Sequence, residues 1–236
     1  PRHKENFEKW INELEEIGYV SKYMPVNARN YGLPQNRPRL LMMSVFVGQN
    51  ESLKKEIKAF FDSWGSDETK ILSDYRKSRF YSPVTINQLL RQPADRRSKL
   101  WEEALDCTPN DTVSRRKIWE ENPKIVDEQG RITSEDFIRT ITKQDRHPNS
   151  GNVYFDSGVE GRGKFRYLTP RECLLFMGFT DEDYERLQAN NPEQRVKSKL
   201  FPRDKIIRMA GNSIPVKMLE GFFYQLYKTE PILGKY

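Results

Sequence analysis

Three polar side chains alternate within one short stretch of this 236-residue chain: Gln35, Arg37 and Arg39, in Asn30-Tyr31-Gly32-Leu33-Pro34-Gln35-Asn36-Arg37-Pro38-Arg39. On extended backbone, every second side chain shares one side, so two guanidiniums would face together. Arginine stays charged, and its planar fork suits bidentate recognition of oxygens. A surface turn with solvated arginines fits the same spacing. A second string, Gly211-Asn212-Ser213, reads as the opening of a helix, with Pro215 near the first turn. Free N–H groups and the positive dipole end would favour a carboxylate there; an ordinary helix cap is the plainer reading.

These residues must be held by regular elements. Phe7, Trp10, Ile11, Leu14 and Ile17 recur at helical spacing, the stripe of an amphipathic helix, and Gly18 is placed to stop it. Residues 19–26 read as a strand. Residues 40–47, LLMMSVFV, read as a stronger one, its nearly unbroken apolar run suggesting a strand covered on both faces inside a larger sheet. Asn27, Asn30 and Gly32 supply turn chemistry between them. Residues 48–160 show the least pattern and read as a small mixed domain. Thr169-Pro170-Arg171-Glu172 is a capping box with Pro at the first helical position, opening a helix through Cys173 and Phe176 that Gly178 ends. Val216, Leu219, Phe223 and Leu226 continue the last element as an amphipathic helix.

Composition bounds the answer. The length is long for one domain and short for two. Apolar residues make up 36%, so the core is adequate but lean, and aromatics spread along the chain argue against disorder. No apolar run approaches ~18 residues, which argues against a membrane-spanning helix, and the start leads into no signal-peptide core. The first residue is Pro1, not Met, as in an excised or processed piece. Cys107 and Cys173 are too few for a disulfide scaffold, and with two histidines at no ligand spacing they argue against a metal site. Forty basic against 34 acidic residues gives a net charge of +6, which permits a nucleic-acid partner without demanding one.

Three segments together resemble the DNA cytosine-5 methyltransferase family. Residues 30–39 are similar to its Q-x-R-x-R motif. Arg166-Tyr167-Leu168-Thr169-Pro170-Arg171-Glu172, continuing to Met177-Gly178-Phe179, is similar to its R-x-L-T-x-R-E and M-G-F segment. Ala210-Gly211-Asn212-Ser213-Ile214-Pro215-Val216 is similar to its G-N-S-V/I segment. Their order, with about 125 residues between the first two, makes the combination specific. It covers the chain but only the C-terminal half or so of such an enzyme, bacterial or phage and of restriction-modification type.

The resemblance implies an α/β fold: a partial S-adenosylmethionine-dependent methyltransferase sheet, its last two strands plus flanking helices, with an inserted target-recognition domain. Residues 1–49 would belong to the catalytic domain, 50–163 to target recognition, and 164–236 to helices returning to the catalytic domain. It assigns Arg39 to O2 of a flipped cytosine, Arg37 to the DNA backbone and Gln35 to support of the loop. Asn212, Ser213 and Ile214 would hold the methionine moiety of S-adenosylmethionine. Double-stranded DNA would be read by the string around Thr140, Thr142, Lys143, Gln144, Arg146, His147 and Asn149, since Gln, Asn and Arg can pair with base edges and Thr can touch a thymine methyl; a polar solvent loop is the alternative. Arg162 and Lys164 would bind phosphates, which position without specifying. The Thr169–Glu172 box would organise the recognition domain rather than do chemistry.

Family features are also missing from these residues. Neither cysteine follows proline, as the family's nucleophile does: Cys107 follows Asp106 and Cys173 follows Glu172. The F-x-G-x-G cofactor loop and the Glu-Asn-Val segment do not occur. Nucleophilic catalysis needs an activated thiolate, so the chain alone is expected to be inactive. A complementary N-terminal segment or subunit would share the cofactor and supply the Pro-Cys, F-x-G-x-G and Glu-Asn-Val parts. Without it the apolar strand would expose an edge. The competing reading is a degenerate, non-enzymatic DNA-binding module. Either is expected in the bacterial cytoplasm, associated with the nucleoid.

Overall fold

The computed structural model describes residues 3–133, 137–142, 152–193 and 199–235. The chain forms two compact units. Unit 1 comprises Pro1–Tyr31, Pro38–Ser82 and Lys217–Tyr236, and unit 2 comprises Gly32–Arg37 and Pro83–Val216. These limits cut across the expected ones: residues 50–82 group with the first strands, and 164–216 with the middle of the chain.

In unit 1, helix α1 (Lys4–Glu16) leads through Gly18 into strands β1 (Tyr19–Asn27) and β2 (Pro38–Phe46). The strands pair antiparallel with Tyr19 opposite Phe46 and Val26 opposite Arg39. One face of this two-stranded sheet buries Val20, Met24, Val26, Leu41, Met43 and Val45. Helix α2 (Glu51–Asp62) buries Leu53, Ile57 and Phe61 and packs against β1. The other face carries Tyr19, Tyr23, Leu40 and Phe46. α1 packs on β1 with the Phe7 ring edge-on to Tyr23 at 4.8 Å, yet α1 contributes no buried residue. A strand covered on both faces is therefore not what forms here. Leu40 and Phe46 are 53% and 60% exposed, because two strands under one shallow helix leave half the sheet open.

Helix α3 (Thr69–Arg76) and, from unit 1's last segment, the final helices complete this unit. Asp74 on α3 accepts hydrogen bonds from Lys70 Nζ (2.9 Å), Lys228 Nζ (2.8 Å) and Gln225 Nε2 (3.3 Å), so one carboxylate ties α3 to the C-terminal segment.

Unit 2 is mainly helical. It contains α4 (Ile86–Leu89), α5 (Lys99–Asp106), α6 (Val113–Glu121), a two-stranded ladder of β3 (Val153–Tyr154) and β4 (Phe165–Arg166), then α7 (Pro170–Leu175), α8 (Asp181–Ala189) and α9 (Arg203–Asn212). Helix α10 (Val216–Tyr227) begins at the unit's last residue and continues in unit 1, followed by α11 (Glu230–Leu233). The core of unit 2 gathers Ile86, Leu89 and Leu90 with Ile138, Ile141, Val153, Leu168, the apolar face of α7, and Ile206, Ile207 and Ala210 of α9. The box at Thr169 forms as read: its hydroxyl accepts from the Glu172 N–H while the Glu172 carboxylate accepts from the Thr169 N–H. Gly178 stops α7 in the left-handed region, φ +89°, where a side chain is strained and where Val216 Cβ would lie 3.2 Å from an added Cβ. Among the described residues, no helix is long and apolar enough to cross a membrane.

Partial burial alone would raise the Asp74 pKa, but the bonds from Lys228, Lys70 and Gln225 outweigh it and draw it down from 3.8 to about 2. A carboxylate depressed in the folded state stabilises above its unfolded pKa and loses that contribution as pH falls through the folded value. The wild type should exceed Asp74→Asn by about 2 kcal/mol near neutrality, with the gap closing between about pH 4 and pH 2. Urea midpoints measured across that range check it; a pH-independent gap contradicts it.

Candidate functional site

Gln35 and Arg37 lie in unit 2 and are fully buried. Gln35 forms a parallel bridge with Ile138: the Asn36 N–H donates to Ile138 O at 2.8 Å and the Ile138 N–H to Pro34 O at 2.9 Å. The Gln35 amide then reaches two ways. Its Nε2 donates to Phe176 O at 2.9 Å, and its Oε1 accepts from the Ile141 N–H at 3.2 Å. Arg37 donates through Nη1 to Ile141 O (2.6 Å) and through Nη2 to Gly211 O (2.6 Å) and Ser213 O (2.9 Å). The guanidinium expected on the DNA backbone is thus turned inward onto three carbonyls. Arg39, two residues on, belongs to unit 1.

Arg39 is half-buried at the start of β2, and its Nη1 donates to Pro38 O at 2.7 Å. Burial pushes its pKa down; a guanidinium remains charged nonetheless.

The reading of Gly211-Asn212-Ser213 as a helix opening is corrected. Gly211 and Asn212 are the last residues of α9, and Ser213 is its C-cap. Ile206, Ile207 and Ala210 form a buried stripe leading up to that point, and Pro215, lacking an N–H, separates it from α10. A helix C-terminus presents unpaired carbonyls and the negative dipole end, so the backbone of α9 offers a carboxylate no help here. Arg37 supplies the complementary charge instead. Asn212 is exposed and Ile214 is 40% exposed. Asn212 and Ser213 edge an open hollow on unit 2, lined also by Pro202, Asp204, Lys205, Arg208 and Met209. Lys205 and Arg208 were not anticipated. Reading the buried stripe of α9 as a helix would have put both on its outer face with Asn212, at spacings of three and four.

The third motif builds a buried ionic centre. Arg166 and Glu172 are both inaccessible and bonded twice, Nη1 to Oε2 at 2.7 Å and Nη2 to Oε1 at 2.8 Å. The same carboxylate accepts from the Thr169 and Arg91 N–H groups, each at 2.8 Å. Burial lowers the Arg166 pKa, but the Glu172 charge outweighs it and the net direction is upward. Arg171 bonds Glu103 on α5 and Asp181 and Glu185 on α8, over the Tyr184 ring. This segment orders unit 2.

Of the candidate DNA contacts, Lys143, Gln144, Arg146, His147 and Asn149 lie outside the described residues. The Thr140 hydroxyl donates to Asn36 O at 2.6 Å, and Thr142 is exposed. Arg162 Nη1 donates to Thr108 O at 2.7 Å. Lys164 is exposed and lines a hollow with Trp119, Phe165 and the ion-paired Asp111 and Arg116. Cys107 is buried, and desolvation pushes its thiol up to about 12, the opposite of an activated thiolate.

The C-5 cytosine-specific DNA methylase family matches residues 1–228. The chain belongs to that family. It is 27% identical over 228 residues to the Type II methyltransferase M2.ScrFI of Lactococcus lactis subsp. cremoris, covering 97% of this chain and 51% of that protein. It is 23% identical over 280 residues to the Orphan methyltransferase M.SPBetaI of Bacillus phage SPbeta, covering 92% and 60%. The chain therefore spans about half of the length of one relative and 60% of the other. Its structure resembles the S. pombe Dnmt2 methyltransferase (TM-score 0.56, 16% identity, 96% of this chain and 62% of that one) and the Entamoeba histolytica methyltransferase EhMeth (0.53, 13%, 94% and 57%). These likenesses show an α/β methyltransferase fold.

Glu172→Gln leaves the buried Arg166 charge uncompensated and turns an N–H₂ toward donors. It should cost about 3–5 kcal/mol. Adding Arg166→Met should recover part of this, because an unpaired buried charge costs more than none. Urea unfolding of Glu172→Gln, Arg166→Met and the double variant decides; an additive or sub-1 kcal/mol result contradicts the ionic centre's role.

Proposed function

We propose that this chain is the C-terminal, DNA-engaging part of a cytosine-5 DNA methyltransferase whose nucleophile lies in a complementary N-terminal segment or subunit. One observation carries the reading: the family match extends over residues 1–228, while neither cysteine follows proline and both are buried, with desolvation pushing the Cys107 thiol pKa up. The half-open sheet of unit 1, with Leu40 and Phe46 outward, supports a partial sheet that a complement would extend. A target-recognition role for residues 50–163 remains part of the proposal, as does double-stranded DNA as substrate.

Within this reading Arg39 is the contact to the flipped cytosine. Its charge would stabilise the negative charge that develops on the ring as a nucleophile adds. Gln35 and Arg37 act from behind, holding segments in place. The residues around Asn212 fit one end of S-adenosylmethionine: the Lys205 and Arg208 cations and the Asn212 amide suit a carboxylate, and the half-exposed Met209 offers apolar surface. When bound, S-adenosylmethionine supplies the methyl group. Thr142 and the string after it would read bases, with Lys164 on a phosphate.

Mixing the chain with its complement should restore transfer of a labelled methyl group to duplex DNA, and Arg39→Ala should lower that transfer ~100-fold or more, as loss of a charge-stabilising group does. Transfer unaffected by Arg39→Ala removes this assignment. Failure of every complement to restore transfer, with DNA binding retained, favours a binding module.

A further inference from the structure

One guanidinium touches both segments to which the proposed function gives a ligand. Arg37 Nη1 holds the carbonyl of Ile141, one residue before Thr142, and Nη2 holds the carbonyls of Gly211 and Ser213, on either side of Asn212. The link is short, since a single planar group spans it, and it is dry, since Arg37 and Gln35 have no exposure. It is also reinforced. Gln35 Oε1 accepts from the Ile141 N–H, the Thr140 hydroxyl donates to Asn36 O, and the Asn36 N–H donates to the Ile138 carbonyl. A guanidinium has a fixed fork, so its two ends cannot follow independent displacements. A shift of the Ser213 carbonyl must rotate the fork, and the Ile141 carbonyl moves with it or loses its 2.6 Å bond.

We propose that Arg37 is a positioning residue that couples the two segments, so that occupation of the Asn212–Ser213 hollow tightens the segment at 138–142 leading to the DNA-reading residues. The inference rests on the reading that the hollow takes S-adenosylmethionine and that 138–142 faces DNA. Coupling of this kind is reciprocal: whatever factor the cofactor adds to DNA affinity, DNA adds to cofactor affinity. It explains why an arginine in a motif otherwise suited to DNA contact is buried on helix-end carbonyls. A lysine in its place would keep the charge but carry one compact ammonium, able to satisfy one end of the bridge and not both.

The test uses the assembled enzyme and S-adenosylhomocysteine as probe, read by hydrogen exchange and therefore independent of turnover. In the wild type the probe should slow exchange at 211–216 and also at the hydrogen-bonded amides of Ile138 and Ile141, the latter roughly fivefold or more. In Arg37→Lys the protection at 211–216 should persist while that at 138–141 falls away. Should Arg37→Lys not fold, Gln35→Met serves instead: it keeps the volume and Arg37, removes the acceptor aligned with Ile141, and should weaken the same remote protection. Remote protection unchanged in the variant overturns the coupling, as does its absence in the wild type while 211–216 is protected. No protection at 211–216 overturns the cofactor assignment itself, and the coupling with it. As a second measurement, retention of a random-sequence 30-base-pair duplex pool should rise with the probe in the wild type and not in the variant; an equal rise in both counts against Arg37.

Discussion

Unit 2 is organised around a carboxylate that water does not reach. Two charges taken out of solvent cost several kcal/mol each unless the geometry returns it, and at Glu172 the return is complete in kind: two bonds from the Arg166 fork, one from the Thr169 N–H and one from the Arg91 N–H. The arrangement joins β4, the start of α7 and the segment after α4. Because it is directional, α7 has one orientation, and the Phe176 carbonyl at its C-terminal end is presented where Gln35 Nε2 can take it.

From that carbonyl the order passes to the polar segment at residues 34–37. Gln35 fixes Ile141, and Arg37 fixes Ile141 together with the end of α9. The two arginine motifs thus act in series. One builds a rigid apolar scaffold around a charge pair; the other uses that scaffold to hold two backbone segments at a set separation. Each buried cation neutralises a defined need, a carboxylate for Arg166 and the negative end of a helix for Arg37.

Much of this was legible in the residues. The capping box at Thr169, the Gly178 stop, the α1 stripe with Gly18 behind it, and the strand pair on either side of residues 28–37 are local signals, each set by the side chains that form it. Three features were not legible. Alternation says nothing of where compact units divide, and the chain passes from unit 2 to unit 1 at Pro38, between Arg37 and Arg39. Gly211-Asn212-Ser213 reads as a beginning because Pro215 and the following apolar stripe suggest one, whereas burial of Ile206, Ile207 and Ala210 makes it an end. The helices α2 to α6 hide in a region without visible pattern because most are short; α3 and α5 span eight residues and α4 four, too few turns for a stripe to stand out from noise.

In the proposed function this chain engages the target base while the attacking thiolate comes from elsewhere. The direct measurement is a trapping experiment. The assembled enzyme is incubated with S-adenosylmethionine and a duplex pool containing 5-fluorocytosine, whose fluorine blocks the elimination that releases the protein, and the adduct is mapped by peptide mass spectrometry. The expected product is a nucleotide bonded to a cysteine of the complementary segment. An adduct on Cys107 or Cys173 would contradict it.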